Sequence, residues 1–276
     1  IKHLISYIPY HIYKPSLPKN ENKSEVIISL TSYPARIWCL PMVIGSIVRQ
    51  SKLPDRIVLY LSKEQFTDLK HPILRSLMKQ GVRIVLVEGD LRSHKKYYYA
   101  MQEYPDSIII TIDDDVIYDK YMIEDLYQSY LRHPKAISAK RVHGMKFDEK
   151  KRILSYNQWE YEKNDCIDIE SLQLMATGCG GILYPPHCLH ESWMDEKGIL
   201  ETCLYGDDLW LKVKELQNNT PVVLAKSDHY KIRNVWGTLT DGLASENVLL
   251  NRNDEQLRKI CQYLKINLYQ LIMNKE

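Results

Sequence analysis

Three consecutive carboxylates follow the most apolar segment of the sequence. Positions 108–112 are Ile-Ile-Ile-Thr-Ile, and Asp113, Asp114 and Asp115 come directly after them. Adjacent carboxylates repel one another, and each raises the pKa of its neighbours unless a cation neutralises them. Mg²⁺ and Mn²⁺ prefer such hard oxygen ligands, take one or two protein carboxylates, and complete their coordination with substrate phosphates and water. The cluster therefore predicts a site for Mn²⁺ or Mg²⁺.

A second acidic pair lies further along the chain. Asp207 and Asp208 precede Leu-Trp-Leu-Lys at positions 209–212, a pattern that is typical of a helix start. One carboxylate can cap this helix while the other faces a cleft, and two caps are the alternative. The first cluster has the same alternative, an acidic turn that caps the next helix. Three aspartates after an apolar strand exceed what a cap requires, so a metal site is favoured there.

Alternating strands and helices must position these carboxylates. We predict strands at 26–30, 56–61, 82–87 and 107–112, and helices at 36–50, 63–80, 94–103 and 119–132. This alternation indicates an α/β fold whose parallel sheet is covered on both faces. In an open α/β sheet, ligands bind beyond the carboxyl ends of the strands, and Asp113 begins at such an end.

The pattern divides the chain into four parts. Residues 1–24 form a predicted N-terminal arm, and residues 25–140 form a nucleotide-binding half. Residues 141–252 contain clusters of Gly and Pro, and they are predicted to carry the second substrate and the catalytic groups. Residues 253–276 form a predicted amphipathic helix.

Composition limits the classes of function. The 276 residues are 45% hydrophobic, which suffices for a sizeable core, and the net charge of +2 gives no argument for a nucleic-acid partner. Six cysteines without a C-x-x-C pair indicate reduced thiols in a cytoplasmic protein. No segment approaches the roughly 20 apolar residues that span a bilayer. The C-terminal helix could rest on an anionic membrane, although packing against the domain is the favoured alternative.

Three motifs in order resemble those of a known enzyme family. The run IIITIDDD at 108–115 is similar to the D-x-D motif of GT-A glycosyltransferases. The run IISLTSYPAR at 27–36 resembles the first strand and loop of bacterial polysaccharide glycosyltransferases related to family 2. Gly206, Asp207 and Asp208 stand where such enzymes carry an x-E-D or x-D-D motif. The resemblance covers roughly residues 26–235, and three motifs are more specific than one.

The resemblance implies a GT-A fold, which is a Rossmann-like, mostly parallel sheet with helices on both faces, in a single catalytic domain with an irregular acceptor half. It also implies a metal-dependent, inverting transferase that moves a hexose from a UDP-sugar to a surface or capsular glycan. The acceptor is then a glycan or a lipid-linked glycan, and the enzyme works in the cytoplasm, at the inner face of the membrane.

The same resemblance assigns roles around the metal. Asp113 or Asp114 is expected to contact the ribose or a metal-bound water, while Asp115 ligates the metal that bridges the diphosphate; Asp113 is a further candidate ligand. The order of roles among the three stays open. His229 stands where many GT-A enzymes supply another metal ligand, and His143 is a rival for that role.

Donor-binding residues follow from the first loop and a later lysine pair. Thr31, Tyr33 and Arg36 match the loop that lies against the nucleobase in such enzymes. Lys95 and Lys96 precede the D-x-D strand where family members place donor-binding groups, and a lysine near a diphosphate is electrostatically sensible. A solvated helix face is the alternative for whichever lysine points outward.

Catalytic and acceptor-binding residues are expected in the second half. By resemblance, Asp208 is the general base that takes the acceptor proton, with Asp207 beside it. Gly180 and Gly181 are expected to let the backbone approach a sugar closely, and a tight turn between strands is the alternative. Trp159 could stack on a sugar ring, although a buried core position is the usual place for a tryptophan.

Two other classes of function must be weighed. The D-x-D pattern also resembles that of haloacid-dehalogenase-like phosphatases, where the first Asp is a nucleophile. That motif normally follows the first strand and carries Thr or Val where this chain has Ile117, so the phosphatase is the weaker hypothesis. An inactive sugar- or nucleotide-binding module is opposed by the presence of Asp208.

Overall fold

The computed structural model describes residues 25–225, 232–238 and 252–273. Within them the strands are β1 Val26–Thr31, β2 Arg56–Ser62, β3 Arg83–Val87, β4 Ile108–Thr111, β5 Val116–Ile117, β6 Ile137–Ala139, β7 Val142–Gly144, β8 Leu174–Ala176, β9 Ile182–Tyr184, β10 Val222–Leu224 and β11 Arg233–Asn234. The α-helices are α1 Leu40–Ile47, α2 Pro72–Lys79, α3 Lys95–Glu103, α4 Met122–Arg132, α5 Glu196–Thr202, α6 Asp207–Gln217, α7 Arg252–Leu264 and α8 Leu268–Met273. No helix in this part of the chain is long and apolar enough to cross a bilayer.

Seven strands form one central sheet in the order β10-β6-β9-β4-β1-β2-β3. Strands β4, β1, β2 and β3 are parallel, so their carboxyl ends lie along one edge. Strand β9 runs antiparallel to both β4 and β6, while β10 is parallel to β6. The sheet is therefore mixed and mostly parallel, and it takes strands from both sides of residue 140. The division of the chain at residue 140 stays a prediction about function.

Alternate residues of β1 face two different layers. Val26, Ile28 and Leu30 pack in a core with side chains of α1, α2 and α4. Ile27 packs on the other face with Ala100 of α3. Because successive side chains of a strand point to opposite faces, a strand buried on both faces is continuously apolar. The β-branched residues of β1 and β4 thus account for the α/β architecture.

A second core joins the remaining strands to the C-terminal helices. Trp210 of α6 is fully buried there, and its Nε1 donates to the carbonyl oxygen of Trp193 at 2.9 Å. Leu257 and Ile260 of α7 belong to the same core. Helix α7 therefore packs its apolar face against the domain, as the sequence favoured. Possible contact with a membrane stays a prediction.

Several elements differ from the predicted bounds for local reasons. The predicted helix at 36–50 begins as a 3₁₀ helix, Pro34–Cys39, before α1. The predicted helix at 63–80 is shortened to α2, which starts at Pro72, because proline suits the first turn and His71 caps it. The C-terminal segment contains two helices, and Lys265 between them has a φ of 53°. A residue in this left-handed conformation ends a helix.

Candidate active site

A cavity of about 640 Å³ opens at the carboxyl ends of the four parallel strands. Each strand delivers lining residues just beyond its last residues: Ser32 after β1, Gln65 after β2, Asp90 after β3 and Asp113 after β4. The opposite wall comes from the turn between β8 and β9 and from the start of α6. This position agrees with the general rule for ligand sites in open α/β sheets.

Asp114 and Asp115 meet the first loop at one side of the cavity. Arg36 forms an ion pair with Asp115 and lies 3.5 Å from Asp114 Oδ1, while Ser32 Oγ donates to Asp114 Oδ2 at 2.5 Å. Burial raises the pKa of Asp114 to about 6, against the lowering effect of Ser32. Burial and Asp113 also raise the pKa of Asp115. The sequence resemblance assigned Arg36 to the loop against the nucleobase, and the structure pairs its guanidinium with the acidic cluster; contact with a nucleobase stays a prediction.

Lys96 bridges the two acidic motifs. Its Nζ lies 2.7 Å from Asp113 Oδ1 and 3.0 Å from Asp207 Oδ2, and its side chain is 4% exposed. Burial opposes the charged ammonium, yet Asp113, Asp207 and Asp208 outweigh it and raise the pKa of Lys96 well above its usual value. Lys96 therefore stays charged, and the solvated-face alternative does not describe it.

Asp208 faces the cavity floor and not the end of its own helix. Gly206 is the N-cap residue of α6, and neither Asp makes a capping hydrogen bond with its side chain there. The backbone N–H of Gly178 donates to Asp208 Oδ2 at 3.1 Å, while Oδ1 has no hydrogen-bond partner among the described residues. Burial, together with the adjacent charge of Asp207, raises the pKa of Asp208 to about 7. A buried carboxyl of this kind can accept a proton near neutral pH.

The far end of the cavity carries a polar cluster around Asp90. Lys95 forms an ion pair with Asp90 Oδ1, and the Arg92 guanidinium lies 3.1 Å from Oδ2. Gln65 Nε2 donates to Asp90 Oδ2 at 2.8 Å, which fixes the orientation of the amide because a carboxylate only accepts. Gln65 Oε1 is consequently held as a buried acceptor without a partner among the described residues.

Thr31 and Tyr33 of the first loop also line this cavity, and their contact with a nucleobase stays a prediction. Thr31 Oγ1 donates to the carbonyl oxygen of Tyr60 at 2.8 Å, which anchors the end of β1. The Tyr33 ring is 38% exposed and lies 5.8 Å from the Arg36 guanidinium carbon. An exposed aromatic ring at the mouth of a cavity can stack on a flat ligand.

The predicted acceptor residues lie behind the lining. Gly180 and Gly181 form the tight turn between β8 and β9, and Gly181 needs its freedom because its φ is 88°. Trp159 is 4% exposed and donates through Nε1 to the carbonyl oxygen of Leu154. Its ring centroid lies 4.9 Å from that of Tyr156, which does line the cavity. Direct contact of these three residues with an acceptor stays a prediction that their burial disfavours.

The two histidine candidates have different outcomes. His229 lies outside the described residues. His143 is 1% exposed, accepts from the backbone N–H of Glu162 through Nδ1, and does not line the cavity. Burial lowers the pKa of His143 to about 4, so this side chain is neutral. The arrangement indicates a core histidine, and it gives no support for His143 as a metal ligand.

The side chains of the cavity can be compared with the ligands that a divalent cation needs. Among the described residues, no three His, Cys, Asp or Glu side chains are grouped so that they could hold a metal ion. The three aspartates are not helix caps, because the next helix, α4, begins at Met122 with Tyr121 as its N-cap. Mn²⁺ and Mg²⁺ need only one or two protein carboxylates when phosphates supply the rest. Asp113 and Asp115 therefore fit a cation that arrives with a phosphorylated ligand, and they do not fit a permanent structural metal site.

The sequence analysis missed several lining residues. Gln65 and Asp90 follow β2 and β3, so the predicted sheet already indicated that they reach the same edge. Gly178 lies in the Gly-rich run that contains Gly180, but its hydrogen bond to Asp208 spans 30 residues of sequence. Arg141 lines the cavity from the second half, and its Nη1 donates to Thr177 Oγ1 at 3.0 Å.

Comparisons with known proteins agree on the fold. No family model and no curated protein matches this chain. A mannosyltransferase from Pyrobaculum calidifontis in complex with GDP-Man and Mn²⁺ is similar in structure, with a TM-score of 0.53 and 10% identity over 96% of this chain and 70% of that one.

Two weaker structural matches concern other nucleotide-dependent enzymes. Glucosyl-3-phosphoglycerate synthase from Mycobacterium tuberculosis, in complex with Mn²⁺, UDP and phosphoglyceric acid, matches with a TM-score of 0.34 and 15% identity over 43% of each chain, which is less than half the length of that synthase. A CMP:2-keto-3-deoxy-manno-octonic acid synthetase complexed with CTP matches with a TM-score of 0.47 and 10% identity over 84% of this chain and 100% of that one. The mixed seven-stranded sheet and the fold of the mannosyltransferase together identify this chain as an α/β protein of the GT-A type.

Proposed function

We propose that this protein is a metal-dependent, inverting glycosyltransferase that moves a hexose from a UDP-sugar to a glycan acceptor. The observation that carries the proposal is the convergence of Asp208 and the Asp113–Asp115 cluster on one cavity. A buried carboxyl in the same cavity as a cluster of carboxylates that can bind a divalent cation is the arrangement that base-assisted displacement requires. Resemblance of positions 27–36 to polysaccharide glycosyltransferases supports a surface or capsular glycan as the acceptor.

The cavity suggests an orientation for the donor. The diphosphate belongs beside Asp113 and Asp115, and the hexose must then extend towards Asp208, where the proton is removed. The nucleoside is left with the opposite end of the cavity, beyond β1, β2 and β3. Gln65 Oε1 is a buried acceptor at that end without a partner among the described residues, and an N–H of the base would satisfy it. Tyr33 offers an aromatic face beside Arg36, between the diphosphate and that end.

Asp113 and Asp115 would hold the divalent cation, with the diphosphate as its other ligand. When bound, Mn²⁺ or Mg²⁺ would neutralise the charge that develops on the departing diphosphate. Arg36 now pairs with Asp115, and its charge adds to the same end of the cavity. These cationic groups support the prediction that the cavity binds an anionic donor.

Asp208 would act as the general base. Its Oδ1 is buried and has no hydrogen-bond partner among the described residues, so it is the carboxylate oxygen that would take the acceptor proton. Removal of that proton lets the hydroxyl oxygen attack the anomeric carbon directly while the diphosphate leaves from the opposite side. A single displacement of this kind inverts the configuration of the sugar. Arg141 and Tyr156 line the wall where the acceptor would enter.

The alternative functions have less support. In a haloacid-dehalogenase-like phosphatase the nucleophilic Asp normally follows the first strand, whereas Asp113 follows β4. A binding module without activity needs no buried carboxyl with a raised pKa beside the proposed metal ligands. The glycosyltransferase hypothesis explains both acidic motifs together.

The experiment that tests the proposal compares UDP release from a panel of UDP-hexoses by wild type and by Asp208→Asn, in Mn²⁺. We expect wild type to turn over at least one donor, and the variant to bind it equally while turnover falls roughly 10²- to 10⁴-fold, because the base is lost. Asp165→Asn is the matched control, since Asp165 is 76% exposed and does not line the cavity. Full turnover by Asp208→Asn would refute the assignment of the base.

A further inference from the structure

Lys96 is held in place both through its backbone and through its side chain. It stands near the start of α3, and its carbonyl oxygen accepts a hydrogen bond from Ser29 Oγ of β1. At the other end, the ammonium contacts Asp113 and Asp207, which belong to the two acidic motifs. The sequence resemblance assigns Lys96 to donor binding, yet both ion pairs that the structure gives it are with carboxylates of the protein. The same ammonium therefore fixes the relative position of β4 and α6.

Gly178 leaves the space that this ammonium needs. A Cβ atom at position 178 would lie 2.9 Å from Lys96 Nζ, 3.3 Å from Asp208 Oδ1 and 3.4 Å from Asp113 Oδ1. A Cβ contact below 3.0 Å forces a displacement, and the atom that must shift here is Nζ, the end of a flexible side chain. Such a shift would disturb the contacts of 2.7 and 3.0 Å that Nζ makes with Asp113 and Asp207. The absence of a side chain at residue 178 thus leaves room for the three charged groups at the distances that the structure shows.

The backbone of Gly178 also contacts the carboxylate of Asp208. Its N–H donates to Asp208 Oδ2 at 3.1 Å, which leaves Oδ1 directed away from that bond and without a partner among the described residues. A carboxylate that is fixed through one oxygen presents the other in a defined direction. Orientation of a reacting group to within about 1 Å can change a rate by roughly 10²-fold.

We propose that Lys96 and Gly178 are positioning residues that hold Asp208 at a fixed place relative to Asp113. Lys96 ties Asp113 to Asp207, the chain neighbour of Asp208, and Gly178 both makes room for this ion pair and holds the Asp208 carboxylate by its N–H. The inference rests on the proposed function, since it concerns how the general base is aligned with the donor.

A double-mutant cycle tests this inference with Gly178→Ala, Lys96→Ala and the double variant. We expect Gly178→Ala to lower kcat roughly 10- to 100-fold, with a much smaller change in the KM for the donor, because the base is misaligned while the donor ligands remain. In the Lys96→Ala background, the added Cβ meets no ammonium. Gly178→Ala should therefore lower kcat by less than about threefold in that background.

The same cycle has a readout that is independent of activity. Without divalent cations, the substitution Gly178→Ala should lower the urea midpoint more in the wild-type background than in the Lys96→Ala background. Only in the wild-type background must the added Cβ displace a buried ammonium. Gly144→Ala is the matched control, because Gly144 does not line the cavity. Its Cβ would also lie 2.9 Å from a charged atom, Glu160 Oε2, but this side chain is 44% exposed and can shift into solvent, so we expect little loss of kcat.

The outcomes separate this inference from the proposed function. Coupled losses in kcat and in the urea midpoint, with Gly144→Ala largely unaffected, would support the positioning role. A normal kcat in Gly178→Ala would overturn the positioning role while leaving the proposed function intact. So would an equal fold-loss of kcat from Gly178→Ala in the wild-type and Lys96→Ala backgrounds. Absence of turnover in wild type with every donor would overturn the proposed function and this inference with it.

Discussion

Replacement of Asp208 by Asn should stabilise the protein in a pH-dependent way. Burial raises the pKa of Asp208 from 3.8 to about 7 in the folded state. Between these two values the unfolded chain releases the proton and the folded chain retains it, so stability falls as the pH rises. Below the range both states are protonated, and above it both are ionised. Asn has no proton to release, so the variant escapes this loss.

The magnitude follows from the size of the shift. About three pKa units, at about 1.4 kcal/mol per unit, give about 4 kcal/mol when the carboxyl is ionised in both states. Roughly 3 kcal/mol of this develops between pH 5 and pH 8, because two of the three units lie in that interval. The free energy of unfolding of Asp208→Asn should therefore exceed that of wild type by roughly 3 kcal/mol more at pH 8 than at pH 5.

Urea unfolding at the two pH values, in EDTA, measures this difference. Asp165→Asn is the control, because the Lys163 side chain lowers the pKa of Asp165, so this carboxyl is ionised in both states at pH 5 and at pH 8. We expect the control to differ from wild type by the same amount at both pH values. A difference for Asp208→Asn that stays constant or shrinks from pH 5 to pH 8 would refute the raised pKa, and with it the reason for choosing Asp208 as the base.

Three further outcomes are expected. Trp210→Ala should lower the free energy of unfolding by about 3 to 5 kcal/mol in urea titrations, because this fully buried ring would leave a cavity, whereas Trp236→Ala, at an 85% exposed position, should change it by less than about 0.5 kcal/mol. Gln65→Leu should raise the KM for the donor roughly 5- to 10-fold with little change in kcat, because it removes the acceptor proposed for the base; an unchanged KM would place the nucleoside elsewhere. kcat/KM should fall as the pH drops below about 7, as Asp208 gains its proton; a flat profile from pH 5 to 8 would contradict a titrating base.

The parallel part of the sheet was predictable because its sequence is strongly patterned. β1, β2, β3 and β4 are short, β-branched and separated by helical segments, and this alternation has few structural solutions. Strand β9 was not predictable as an antiparallel insertion, since three apolar residues after a glycine run carry no information about direction. Its place is set by tertiary pairing with β4 and β6.

The candidate site was predictable where chemistry lies close in sequence. Asp113 and Asp115 could be selected because adjacent carboxylates after an apolar segment call for a cation, whereas Asp208 was selected from the resemblance to an x-D-D motif. Lys96 was selected from its type, but its partner Asp207 is more than a hundred residues away, so the ion pair appears only after folding. The role of Gly178 could not be predicted from sequence, because it depends on the space that a residue without a side chain leaves beside Lys96.

The central claim is that this cavity binds a nucleoside diphosphate through a divalent cation held by the aspartate cluster. Calorimetric titration of the purified protein with UDP, in Mn²⁺ and in EDTA, tests it most directly, with Asp115→Ala as the partner variant. We predict that UDP binds wild type at least roughly 10-fold more tightly in Mn²⁺, since the cation bridges carboxylate and phosphate, and that Asp115→Ala loses this dependence. Equal binding with and without Mn²⁺, or no binding in either condition, would contradict the claim.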